Sequence, residues 1–530
     1  MVERYDAVVI GAGHNGLTCG AYLARAGLKT LILERRDVIG GAAVTQEVVP
    51  GFKFSVFSYL MSLLHPKVIA ELELAKYGFK VLPASDMFGP LPGGDFIVFS
   101  DSVAKTQSHF TRFSKQDADI YPQFDRYLME SVTIIRKILL ETPPDPSCRD
   151  WKAFKQTAAF LWKYRKIGGK LFRLIDLMTM SADDYLSEWF ESTYVKAVLA
   201  YYCGIGTFAG PKSPGSAYVI MHHVMGEHAG AGGWGFVRGG MGAVTSLMAD
   251  AAREAGAEIR TGAHVSRIQL RAGRATGVIL EDGSTIEADR VASNADPKRT
   301  FLDLVGEDAL PARFTAEVRA YRCEGASLKI TLAVAELPRL DGDRSADAQP
   351  YHRGLMQFTK PLDDLDRDQD RARAGDPADA PHVELCIPTV HDPSLAPRGT
   401  HVVTIGVRSQ PYRLRTGSWD AIKDEVTDRV LDHLTSFMPN LSGSVLHREV
   451  LSPLDLERRL ALTGGHHLHG DMSPDQLGFL RPVRGYADHR TPIAGLYLCG
   501  AGTHPGGGVT GANGRNAARE ILRDARGHPR

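Results

Sequence analysis

The chain has 530 residues, beyond the size at which one hydrophobic core stops growing, so two domains are expected. Its 43% hydrophobic and 23% charged residues match an ordinary globular protein, and its formal net charge of zero lacks the basic excess of a nucleic-acid binder. Cys19, Cys148, Cys203, Cys323, Cys386 and Cys499 are scattered with no C-x-x-C pair, so neither a dithiol redox centre, a zinc site nor a disulfide framework is expected.

In chain order, the first signal is YDAVVIGAGHNGLTCGAYLARAGLKTLILERRDVIGG, from Tyr5 to Gly41. AVVI is a short apolar run of the kind buried in a parallel sheet. It feeds Gly11, Gly13 and Gly16, which fit G-x-G-x-x-G, with His14 and Asn15 between the last two. A helix is predicted from Leu17 to about Ala26, stopped by Gly27, then a second strand, KTLILE, ending at Glu34. Each part has a task. Gly11 permits the turn, Gly13 admits a pyrophosphate to the backbone, and Gly16 lets helix and strand pack closely. The helix N-terminus offers free N–H groups to phosphate. Glu34 lies about 20 residues beyond the glycines, where an acid accepts from ribose hydroxyls and disfavours a 2′-phosphate. The continuation through Arg35, Gly40, Gly41 and Ala42 resembles the extended FAD fingerprint of glutathione-reductase-type flavoproteins, so FAD is the expected nucleotide.

The stretch DWKAFKQTAAFLWKYRKIGGKLFRLIDLM carries Lys152, Lys155, Lys163, Arg165, Lys166, Lys170 and Arg173, with no acid until Asp176. Tyr164, Ile167, Leu171, Leu174 and Met178 fall at helical spacing, interrupted by Gly168-Gly169. Such a basic amphipathic segment, 152–178, suits either peripheral contact with a membrane or an ordinary solvated face. His222, His223 and His228, and later His466, His467 and His469, are clustered without the spacing of a metal-ligand set, so no metal is expected. From Gly235 to Pro297 the pattern returns to helix and strands. The helix Ala243–Ala255 shows an apolar stripe, and the strands after it are split by Glu281-Asp282-Gly283. The run PLDDLDRDQDRARAG reads as a solvated helix with Asp363 and Arg367 paired at i, i+4 and Gly375 as C-cap. The last signal is GLYLCGAGTHPGGGVTGANGRNAARE, Gly495–Glu520, a strand, a glycine-crowded loop and a helix. The loop is costly to order, so something must come close to its backbone.

The Gly11 block, the GGMGAV block and the segment from Gly495 together resemble the phytoene-desaturase-like flavoproteins, a resemblance running from about Asp6 to Ala518. It implies an α/β fold: a Rossmann-type, glutathione-reductase-like FAD-binding domain made of residues 1–70, 231–300 and 481–530, with an inserted mixed α+β substrate domain made of 71–230 and 301–480. It implies that Val265 stacks near the adenine, and that Gly500, Ala501, Gly508, Val509 and Thr510 lie along the ribityl chain and ring. A helix from about Thr510 would aim its N-terminus at the flavin. His504, in that loop, is the one histidine the resemblance places beside the ring, where tuning the flavin and holding the loop both stay open as its role. Many flavoproteins carry an acid on the ribityl chain where this chain has Gly500-Ala501.

The implied activity is oxidation of an apolar small molecule, isoprenoid or other lipid, by hydride transfer to flavin. A redox-neutral isomerase or saturase, a flavin-bearing regulatory or interaction protein, and an amine oxidase stay open beside it. The glycine-rich candidates at Gly204 and Gly500 have the wrong spacing for a second dinucleotide unit, so electrons should leave to oxygen, a quinone or a partner protein. No uncharged apolar run of about 18 residues occurs, and an element begins almost at once at Tyr5. A reducing, cytoplasmic location is expected, with surface attachment to a membrane left open.

Overall fold

AVVI and TLIL are buried along their whole length because both faces of the sheet they form are covered. The computed structural model describes residues 3–84, 86–145, 151–226, 233–325 and 327–527. Strand Glu3–Ile10 pairs in parallel with Thr30–Leu33 on one side and Thr285–Ser293 on the other. Glu258–Arg260 extends the sheet beyond Thr30–Leu33, and Leu496–Leu498 pairs in parallel with Thr285–Ser293. The hairpin Val265–Arg271 and Arg274–Leu280 continues it antiparallel.

Strand alternation divides the core. Ala7 and Val9 face the helices His14–Arg25, Met241–Glu254 and Ala512–Ala525, where Leu17, Met248 and Ile521 are fully buried. Val8 and Ile10 face the opposite layer, with Phe301 and Phe314. Two glycines make the helix layer fit. A Cβ on Gly16 would stand 2.0 Å from the carbonyl oxygen of Gly11, and one on Gly514 would stand 2.1 Å from that of Asn15. The first and last helices therefore touch backbone to backbone.

A second, mixed sheet runs in the order 445–451, 328–334, 401–407, 383–386, 355–358, 87–90 and 96–99. Its central strands, 328–334, 401–407, 383–386 and 355–358, bury both faces. Leu328, Ile330, Leu332 and Val334 pack with Val383, Leu385, Val403 and Ile405 on the side covered by helix Trp419–Thr435. The residues between them, Lys329, Glu384 and Gly406, are turned to the other side by the same alternation, and they line a cavity that Gly11 and Gly13 of the first sheet's turn also line. The described part of 103–223 is helical, joined by an aromatic core that includes Phe110, Tyr121, Phe124 and Phe190.

The acidic run does form a helix, Leu362–Arg373, but its pairing differs from the expected one. Arg367 binds Asp364, and Asp363 binds Lys212 instead. Asp363 points to the neighbouring loop, where a cation without a nearer acid satisfies it. Gly375, with φ +88°, closes the helix.

Candidate functional site

The cradle begins where the first strand ends. The N–H of Gly11 donates to the carbonyl of Leu33 at 2.7 Å, and the N–H of Gly40 to that of Ala12 at 2.9 Å. Glu34 fixes the crossover: its carboxylate accepts from the N–H of Ala12 at 2.9 Å and of Arg36 at 3.1 Å. Gly13 is the N-cap of helix His14–Arg25 with no side-chain cap, so the first N–H groups of the helix stay open to a ligand. A Cβ on Gly41 would stand 3.4 Å from the Cα of Gly13, leaving two bare backbones side by side. Asn15 is buried, yet both polar atoms of its amide lack a partner in the protein. An orphaned amide in a cradle of bare glycine is the arrangement that a dinucleotide would complete.

One long cavity starts at this cradle. Of the residues the sequence marks for cofactor binding, Gly11, Gly13, His14, Asn15, Glu34, Arg35, Gly41, Ala42, Val265, Ala501, Gly508 and Val509 line it. Gly16, Gly40, Gly500 and Thr510 shape its walls from behind. Arg35 reaches across to the carbonyls of Arg458 and Arg459 and so ties the cradle to the end of helix Pro453–Leu460. His504 does not line the cavity. It is buried with Nε2 3.3 Å from the carbonyl of Ile138, and burial lowers its pKa to about 4.

The glycine-crowded loop is bare for more than one reason. A Cβ on Gly507 would meet Leu468 at 2.3 Å, and one on Gly506 would meet the thioether of Met472 at 2.9 Å. Only a part of the loop faces the cavity; the rest receives apolar side chains from residues 468–472. The final helix begins at Ala512 rather than Thr510, and its Asn513 amide donates to the carbonyls of Thr503 and Gly506, holding the loop closed. Arg481, fully buried, donates to the carbonyls of Leu468, Gly470, Asp471, Gln476 and Ala501. It fixes the loop 468–476 to the flank of the cavity.

Beyond the cradle the cavity widens into a chamber that the sequence did not disclose. Its walls include Phe57, Tyr59, Leu63, Ile205, Trp234 and Leu468. Its floor is the second sheet. Lys329 and Glu384 are both cross-strand partners of Gly406, so the three lie in one row. Tyr59 lies over Gly406, between them: its hydroxyl donates to Glu384, and the ammonium of Lys329 stands 4.8 Å from its ring centroid. Lys329 also donates to the carbonyls of Ser55 and, at 2.9 Å, of Phe57. Burial lowers the pKa of Lys329 to about 7. Burial raises that of Glu384, partly offset by Arg408 at 4.0 Å and by the Tyr59 hydroxyl. Arg408 also donates to the Tyr201 hydroxyl at 3.1 Å.

Burial lowers the pKa of each described histidine in the two clusters, His222, His223, His466, His467 and His469. His222 bonds the carbonyl of Gly507, and burial takes its pKa to about 4. His223, parallel to the rings of Tyr202 and Trp234, and His467, against Phe57, both line the cavity. His228 lies outside the described residues. Among the described residues no three or more His, Cys, Asp or Glu side chains gather as metal ligands.

Comparison with known proteins agrees with this geometry. Residues 16–522 match the family model for flavin-containing amine oxidoreductases. The chain is 40% identical to rat pyridine nucleotide-disulfide oxidoreductase domain-containing protein 2, over 98% of this chain and 94% of that protein. It is 28% identical to a limonene dehydrogenase chain of Castellaniella defragrans, covering 99% and 95%, and 25% identical to the lycopene-forming phytoene desaturase of Pantoea ananas, covering 96% of each. The cyclohexylamine oxidase of Brevibacterium oxydans shares the fold, with a TM-score of 0.57 at 17% identity over 98% of this chain and 99% of that one. The two-sheet architecture, the FAD cradle and the match over nearly all its length together place this chain in the flavin-containing amine oxidoreductase family, as an FAD-dependent oxidoreductase.

Proposed function

We propose that the protein oxidises an apolar small molecule, isoprenoid or lipid-like, in the chamber beside the cradle. One observation carries the reading: nucleotide cradle and apolar-walled chamber form a single cavity. Bound FAD supplies a two-electron acceptor for a hydride. The aromatic and aliphatic walls exclude water and hold the substrate against that acceptor. A proton leaving a neighbouring carbon needs a base, and its C–H electron pair then forms the new double bond. Lys329 is the candidate: near neutral pH its amine is held close to its own pKa, and two of its N–H groups are already engaged by the carbonyls of Ser55 and Phe57.

The charge balance argues against an ammonium substrate. Glu384, the acid that such a cation would seek, already has Arg408 at 4.0 Å and the Tyr59 hydroxyl. Two relatives named for limonene and for phytoene, both hydrocarbons, support the apolar reading. Electrons would then pass to oxygen, a quinone or a protein partner. The test is anaerobic mixing of the yellow holoprotein with an isoprenoid and lipid panel and with a diamine and monoamine panel. Bleaching of the flavin by the first and not the second is the expected result; bleaching by amines alone overturns the substrate class.

A further inference from the structure

We propose that residues 151–175 form a docking face for an anionic bilayer. The segment folds as helix Trp151–Tyr164, a short turn at Arg165–Ile167, and helix Lys170–Thr179. Ten large apolar side chains stand exposed among the described residues, and seven of them lie here: Trp151, Phe154, Leu161, Trp162, Leu171, Phe172 and Ile175. Trp162 is 68% and Phe172 70% exposed. An apolar concentration of this kind marks an interaction surface rather than a solvated helix.

Charge selects the occupant. Between Trp151 and Ile175 there is no acid, against seven Lys and Arg residues. Three of those pair with acids of the protein's body: Lys163 with Glu141, while Lys170 and Arg173 share the one carboxylate of Glu130. Lys155, Arg165 and Lys166 make no ion pair among the described residues. Lys155 and Arg165 instead lie over exposed indole rings, Arg165 at 4.0 Å from Trp162 and Lys155 at 5.4 Å from Trp151. Cations beside exposed tryptophans suit the boundary where anionic headgroups meet acyl chains. A protein partner would have to bury these cations against its own acids. A bilayer surface meets them with mobile headgroups and accepts the aromatic rings between them.

The face also lies close to the cavity. Helix Lys170–Thr179 turns Leu174 and Leu177 inward, into the same core as helix Ser216–His223, and His223 at the end of that helix lines the cavity. One helix layer thus separates the proposed membrane face from the chamber. The face stands apart from the substrate reading and is tested separately.

The experiment is vesicle flotation of the FAD-loaded protein with phosphatidylcholine vesicles and with vesicles containing phosphatidylglycerol. Wild type should float with the anionic vesicles, lose most of that binding in high salt, and float poorly with the neutral ones. Trp162→Ser with Phe172→Ser, and separately Lys155→Glu with Arg165→Glu and Lys166→Glu, should each weaken flotation by roughly tenfold or more. Flavin absorbance and circular dichroism report whether each variant stays folded. Wild-type flotation retained by both variants overturns the proposal, as does a wild type that binds no anionic vesicle. Sedimentation velocity supplies the remaining outcome: a wild-type dimer that Trp162→Ser with Phe172→Ser converts to monomer assigns the face to self-association and also overturns it.

Discussion

The hydroxyl of Tyr59 stands 2.6 Å from the point where a Cβ on Gly406 would lie, so Gly406 is the notch that admits the tyrosine between Lys329 and Glu384. Gly406 sits in a strand with ordinary extended backbone, and alanine is conformationally acceptable there. The cost of Gly406→Ala is therefore steric, about 1–3 kcal/mol of stability from overpacking. Tyr59→Phe removes the clashing oxygen, and the ring carbon behind it is at an ordinary 3.6 Å. The double variant Gly406→Ala with Tyr59→Phe should recover part of the loss. Urea midpoints of the four proteins in the cycle check this. Strict additivity would remove Tyr59 from the notch.

Lys329 gives the site its pH dependence. Its pKa falls from 10.5 to about 7 because burial penalises the charged amine. Below about 7 the folded and unfolded chains both carry the proton, and the burial penalty is present in full. Above 10.5 neither carries it and the penalty is gone. Stability should therefore rise as pH increases through that window, because the unfolded chain binds the extra proton. Lys329→Met should flatten the rise. Substrate-driven flavin reduction should likewise increase through about pH 7 in wild type and lose that inflection in the variant. An unchanged inflection assigns the proton to another group.

Arg481 holds the loops on both sides of the cavity. Replacing it by methionine leaves the buried carbonyls of Leu468, Gly470, Gln476 and Ala501 without their donor, while that of Asp471 keeps the Gln476 amide. Each lost partner costs about 1–3 kcal/mol before relaxation, so a net loss on the order of 3–5 kcal/mol is expected. Lysine, with one point donor, should restore little of it. A chemical-denaturation midpoint unmoved by Arg481→Met would contradict the clamp.

NADH and NADPH should reduce the flavin slowly. The Gly204 segment follows a short helical turn, Ala200–Gly204, inside the helical region, not the end of a parallel strand. Anaerobic stopped-flow mixing measures the rate. Rapid bleaching at micromolar nicotinamide would reveal a second nucleotide site and overturn the expectation.

The nucleotide cradle was legible in the sequence because its parts are local. Strand, glycines, helix and Glu34 follow one another within thirty-two residues, from Glu3 to Glu34, and short-range geometry fixes their meeting. The chamber was not legible, because Tyr59, Lys329, Glu384 and Arg408 meet only through strand register and sheet packing. A signal for one of them did exist. Lys329 stands in LKITLAV, a strand whose seven residues are all buried, and a lysine there demands a reason. Asn294, which backs Gly11 and Gly13, and Arg481 gave no comparable signal: one ends a strand and the other precedes a proline in a loop. His504 was misplaced because proximity in sequence to the glycine loop does not set the direction of its ring, which the carbonyl of Ile138 does. The basic stretch was legible as cationic, but which of its apolar residues stand exposed was not: on helix Lys170–Thr179, Leu174 and Leu177 pack inward and leave Leu171, Phe172 and Ile175 outside.

The central claim is that FAD occupies the cradle at Gly13. The most direct measurement is the FAD content of purified wild type, Gly13→Val and Gly406→Ala, taken from flavin absorbance after gel filtration, with circular dichroism to confirm folding. At Gly13 the backbone has φ −74°, so valine is allowed by the chain itself, but its Cβ would stand 2.9 Å from the amide nitrogen of Asn294 and its methyls would enter the pyrophosphate path. Near-stoichiometric FAD is expected in wild type and in Gly406→Ala, whose change lies in the chamber, together with loss of FAD from a folded Gly13→Val. A folded Gly13→Val that keeps full FAD would contradict the claim.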